Sequence, residues 1–133
     1  MRGPAPAAVA AVAVGGALGC VLRAVVGETV PAGPADFPWA VFAINLVGAA
    51  ALAALPVLGV VRRSSVLAAG LGPGLLGGFT TLSAVSDQTR ALLAADQTVT
   101  AAAYVGGSLA VGLIAVHVVS SVLDGQQDEE GDE

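Results

Sequence analysis

Residues 70–85 read GLGPGLLGGFTTLSAV, and the rest of the chain is best understood from this stretch. Gly70, Gly72, Pro73, Gly74, Gly77 and Gly78 fall within nine residues, and Phe79, Thr80, Thr81, Leu82 and Ser83 follow at once. Glycine loses more conformational freedom in a helix than any other residue. Proline removes a backbone donor and clashes with the preceding turn. Yet the stretch lies inside a run free of Asp, Glu, Lys and Arg, from Ser64 to Ser86, long enough to cross a bilayer. A helix broken at membrane depth releases N–H and C=O groups that cannot face lipid unsatisfied. They must be buried in protein or line a watery cavity or ion site. The two threonines and the serine favour an ion-related break over a kink held by its neighbours.

Three more runs of the same kind flank it: Gly3 to Leu22, Phe37 to Val61 and Gln97 to Leu123. About 20 apolar residues suffice for one crossing, so four spans consume nearly the whole of the 133 residues. The expected fold is an all-α membrane protein with a broken third helix. Its spans lie at about 5–26, 37–61, 64–90 and 97–123, and 124–133 forms an acidic, disordered tail. Composition agrees: 56% of residues are hydrophobic, only 11% are charged, and mean hydropathy is +0.85. An ordinary soluble domain carries about 25% charged residues. Most of the ten acids crowd into the tail, so the net charge of −5 describes that tail and not a surface field. Nothing is basic enough for nucleic acid. A single cysteine, Cys20, excludes an internal disulfide and a multi-cysteine metal site.

The N-terminal run, ending in ALGC (Ala17 to Cys20), has a faint look of a signal peptide. Its apolar character continues to Val26, which favours a retained first helix. Orientation is weakly encoded, with Arg2, Arg62 and Arg63 on one side and Arg23 and Arg90 on the other. Gly15 with Gly19, Gly70 with Gly74, Gly74 with Gly78, and Ser108 with Gly112 are small-xxx-small pairs that let helices approach closely in lipid. For Gly15, Gly19 and Gly112, packing alone is the expected role.

Few polar residues remain within the spans. Asn45 can donate to an anion or glue two helices together. Tyr104, Ser108 and Gly112 are spaced by four and share a helical face, so they form either a pore-facing stripe or an interfacial anchor. Arg23 ends the first span, where it snorkels or draws anions to a vestibule. His117 stands alone and is read as structural. It lies nine residues from Ser108, half a turn out of phase on one helix, so a Ser–His hydrolase is disfavoured. The first two spans contain no ionisable residue at membrane depth, which argues against a proton-driven exporter and leaves a channel.

Together these segments resemble the small bacterial fluoride channels called Fluc or CrcB. GGALGCVLR (Gly15 to Arg23) looks like the family's first-helix motif, FAINLVG (Phe42 to Gly48) like its second-helix asparagine motif, and GLLGGFTTLSAV (Gly74 to Val85) like its third-helix signature. Tyr104 and Ser108 fall where the family has a fourth-helix tyrosine and serine. The resemblance implies an antiparallel, dual-topology dimer in the bacterial inner membrane, with two fluoride pathways. It implies a structural sodium ion at the dimer centre, held by the backbone carbonyls of Gly77 and Thr80. Asn45 would donate to fluoride, with Thr81 and Ser83 as polar neighbours. Tyr104 and Ser108 would line the path, and Arg23 would sit near a vestibule.

The chain also departs from that family. The signature usually reads TTFSTF, whereas Leu82 and Val85 stand here in place of two pore phenylalanines. Gln88 replaces a glutamate that commonly follows. Aromatic edges carry partial positive charge that can face an anion, and leucine and valine do not. The favoured expectation is therefore a heterodimer with a phenylalanine-bearing paralogue. A homodimer with a modified pore and a non-conducting scaffold or assembly partner are the alternatives.

Overall fold

The computed structural model describes residues 5–131, with side chains as far as Leu123. Among these residues the regular structure is entirely helical. Four stretches are long and apolar enough to cross a membrane: Pro6–Thr29, Trp39–Val57, Ser65–Ala94 and Thr98–Leu123.

Helix α1 (Pro6–Thr29) opens with proline in its first turn, where the missing N–H costs nothing. Helix α2 (Trp39–Ala54) starts after Pro38 and ends in a 3-10 turn, Leu55–Val57, that contains Pro56. The second span is thus shorter than the charge-free run that extends to Val61. Pro56 and the extended Leu58 (ψ 107°) end it, and Gly59–Arg62 forms a separate short helix, α3.

The third span is built from pieces. Ser64 caps α4 (Ser65–Ala69), its Oγ accepting from the Leu67 amide at 3.3 Å. Gly70–Leu76 follows as a π-type turn with Pro73 inside it. Helix α5 (Gly77–Phe79) is a single turn, and α6 spans Leu82–Ala94. The glycine–proline run, expected to break the helix, stays helical in a wider form. The Gly77 amide reaches back to the carbonyl of Gly72, five residues earlier, which accommodates a proline that has no N–H to give. The true break lies later, at Thr80 (φ −76°, ψ 158°) and Thr81 (φ −156°, ψ 118°), both extended.

The glycines serve α1. A Cβ on Gly15 would overlap the Gly70 carbonyl oxygen, and one on Gly19 that of Leu75. The two segments therefore touch backbone to backbone, as small residues permit in lipid. Gly112 does not share this role, since among the described residues nothing approaches within 4 Å of the place its Cβ would take.

Helix α7 runs from Thr98 to Gly131 and packs on α2 and α6. The turn before it places Asp96 at φ 59°, a left-handed conformation that aspartate tolerates better than most residues. Helix α7 thus extends into the acidic segment, through Gly131. Asp132 and Glu133 lie outside the described residues. The core is small: Val41, Val85, Leu92, Ala101 and Tyr104. Many large apolar side chains, among them Val14, Leu18, Leu109 and Leu113, point away from the chain, as a lipid-facing or partner-facing surface requires.

Candidate functional site

The break in the third span is held open by side chains of the other helices. The Thr81 amide donates to Asn45 Oδ1 at 2.8 Å, and Asn45 Nδ2 donates back to the Thr81 carbonyl at 3.1 Å. One side-chain amide thereby satisfies both polar groups of a residue that has left its helix. Arg23 Nη1 donates to the Thr80 carbonyl at 3.2 Å. Thr80 Oγ1 donates to the Leu76 carbonyl at 2.9 Å. The Thr81 hydroxyl caps α6, accepting from the Ala84 amide at 3.1 Å, and lies 3.1 Å from Ser83 Oγ. A double clamp from α2 and one contact from α1 hold the break in shape.

A consequence follows for Gly77. In a continuous helix the Thr81 amide would bond to the Gly77 carbonyl. Asn45 takes that amide instead, so the Gly77 oxygen loses its usual donor. The Thr80 oxygen keeps one lone pair besides the one given to Arg23. Carbonyl oxygens are the ligand type that hard cations take.

Two grooves meet at the break. One, of about 550 Å³, lies between α2 and the π-type turn and touches Asn45, Gly48, Pro73, Gly77 and Thr80. The other, of about 620 Å³, runs between α2, α6 and α7. Its walls include Asn45, Thr81, Leu82, Val85, Ser108 and Gly112, and Gly77 and Thr80 border it too. Asn45, Gly77 and Thr80 therefore stand between the two. The Ser108 hydroxyl in this wall is buried and has no hydrogen-bond partner among the described residues. Buried polar groups are rarely left so.

The expected site residues thus divide. Asn45, Thr81, Leu82, Val85 and Ser108 share one groove. Arg23 and Ser83 do not line it, and Arg23 serves the break directly. Tyr104 is fully buried in the core, edge-on to Phe37 with ring centroids 5.4 Å apart. Its hydroxyl donates to Gln88 Oε1 at 2.7 Å. The two positions that replace phenylalanines also differ: Leu82 is 79% exposed, whereas Val85 is 8% exposed and packed in the core beside Tyr104. Sequence reasoning missed Gln88 as the partner of Tyr104. The spacing of Tyr104 and Ser108 puts them on one face of α7, but no sequence signal says that α6 lies opposite that face.

A helical protein with four membrane-length apolar spans, the third of them broken, belongs to the class of multi-pass membrane proteins. The sequence model described as "CrcB-like protein, Camphor Resistance (CrcB)" matches residues 10–120. A protein of Novosphingobium aromaticivorans named fluoride-specific ion channel FluC is 42% identical over 124 residues, covering 89% of this chain and 97% of its own. FluC 2 of Nocardia farcinica is 36% identical over 84% of this chain and 81% of its own length. FluC of Rhizobium meliloti is 38% identical over 79% and 86%. The chain belongs to the CrcB family, a family of bacterial multi-pass membrane proteins whose named relatives are ion channels and not enzymes.

Proposed function

We propose that this chain is one subunit of a passive, fluoride-selective channel that relieves fluoride toxicity, and that it conducts when paired with a phenylalanine-bearing paralogue. The observation that carries the reading is the buried, unpartnered Ser108 hydroxyl in the wall of the groove beside Asn45. Fluoride is small and strongly hydrated, so crossing needs replacement hydrogen bonds from donors that carry no trapping charge. A serine hydroxyl can supply one. Asn45 can supply another, because its amide has two N–H bonds and only one is given to Thr81.

Leu82 supports the pairing. It lies on the groove yet the rest of the chain leaves it uncovered, which suits a second subunit seated there. Neither Leu82 nor Val85 offers an aromatic edge to an anion, and a partner's phenylalanines would. A structural sodium ion fits the donor set as far as this chain supplies it: the Gly77 and Thr80 carbonyls would hold it, and its charge would draw the two subunits together at the break. Arg23 works against that charge from the other lone pair of Thr80.

Bacteria stripped of their own fluoride export provide the test. Expression of this chain with a phenylalanine-bearing paralogue restores growth on fluoride, and this chain alone does not. Growth with this chain alone would refute the pairing. A failure of the pair, with both proteins present in the membrane, would refute the channel and favour a scaffold.

A further inference from the structure

A third groove, of about 380 Å³, lies apart from the two that meet at the break. Ala51, Ala54, Leu55 and Leu58 form one wall and Leu71 and Leu75 the other, and every side chain that lines it is alanine or leucine. Ala51 and Ala54 stand about a third of a turn or more round α2 from Asn45 and Ala49, which border the other two grooves. A subunit seated over the break therefore meets a different face of α2. The walls come from the end of the second span and the first half of the third, so the groove opens beside the connection between them. That connection carries Arg62 and Arg63, both exposed. Leu58 lines the groove, and the Arg62 amide donates to the Leu58 carbonyl at 3.0 Å, which sets the arginines one helical turn beyond the groove wall. Among the described residues the one ion pair is Arg90–Asp87, and the sequence holds no acid between Asp36 and Asp87. A wholly apolar groove between two membrane spans thus ends at two positive charges that no described acid offsets.

We propose that this groove binds an anionic phospholipid, with one acyl chain lying between the second and third spans and the phosphate held by Arg62 and Arg63. Charge complementarity names the occupant. It must be apolar along its body, negative at its head, and drawn from the bilayer. Guanidinium forks pair with phosphate oxygens, and basic residues at a membrane face attract anionic lipid. The arginine stems suit the position, since their methylenes can lie along apolar surface while the charged heads stay at the interface. The site is independent of the proposed fluoride path, for neither Asn45 nor Ser108 lines it.

Native mass spectrometry of the full-length chain in detergent, titrated with phosphatidylglycerol or with phosphatidylcholine, reads bound lipid and subunit number together. The chain should hold phosphatidylglycerol more tightly than phosphatidylcholine. Arg62→Gln with Arg63→Gln should weaken phosphatidylglycerol by about 30-fold, from about 5-fold per arginine at a membrane surface, and leave phosphatidylcholine unchanged. Arg90→Gln, which removes a cation elsewhere, should keep the preference. Ala54→Phe, which fills the groove, and Leu58→Asn, which makes its mouth polar, should each weaken both lipids. Glycerol phosphate, a head without chains, should displace neither. Equal affinity for the two lipids overturns the proposal, as does phosphatidylglycerol binding unchanged in the double arginine variant, or lipid binding unchanged in both groove variants. Displacement by glycerol phosphate overturns it as well, by showing a site for free phosphate. A chain that takes up lipid only after its oligomer dissociates would show that a second copy fills the groove, and would also overturn it.

Discussion

Asn45 shows how one side chain takes two roles. A polar residue in the middle of a span invites a choice between helix glue and anion donor. In the fold it is glue for a broken backbone, bonded to both the amide and the carbonyl of Thr81, and it keeps one N–H for the groove. Asn45→Ala should leave both Thr81 groups without a partner and lower stability by about 1–3 kcal/mol, read as a drop in the unfolding midpoint in detergent. An unchanged midpoint would show that the clamp carries no weight. Leu82 and Val85, the two positions that depart from the family signature, behave differently for a related reason, their burial. Leu82→Phe enlarges an uncovered side chain and should leave the midpoint within about 0.5 kcal/mol of the parent. Val85→Phe forces a ring into the core beside Tyr104 and Leu92 and should cost about 1–3 kcal/mol. The sequence marks both as lost phenylalanines and cannot tell them apart, because burial depends on where α7 packs.

At the scale of elements, the third span was legible in outline and misplaced in detail. Glycine and proline signal a departure from the α-helix, and one occurs: the π-type turn at Gly70–Leu76. The chain leaves helical geometry altogether only at Thr80 and Thr81. No local rule selects those two residues, since the break is held by Asn45 from α2 and Arg23 from α1. What the glycines do is let α1 lie against the turn with no Cβ between the backbones. Gly19→Ala should therefore push α1 from the third span and cost about 1–3 kcal/mol, whereas Gly112→Ala, with open space before it, should be neutral in the isolated chain. Equal unfolding midpoints for the two variants would contradict this packing. Thr81→Val removes the hydroxyl that caps α6 and should cost about 0.5–2 kcal/mol.

The described molecule is a set of four apolar spans with a slender core, and about half of its large apolar side chains are exposed. The charge-free runs made the spans readable, since nothing but a bilayer suits such lengths. Their packing was not readable, because in lipid it depends on small residues and on side-chain contacts between distant segments. The uncovered Leu82 beside the groove of Asn45 and Ser108, and two missing aromatic edges, support the proposal that this chain forms half of a fluoride pathway and needs a partner for the rest. The direct measurement is fluoride efflux from liposomes, read with a fluoride electrode beside a chloride control. Vesicles containing this chain with a phenylalanine-bearing paralogue should empty rapidly of fluoride and retain chloride, and vesicles containing this chain alone should leak at the rate of protein-free lipid. Rapid, selective efflux from this chain alone, or none from a well-folded pair, would contradict the account.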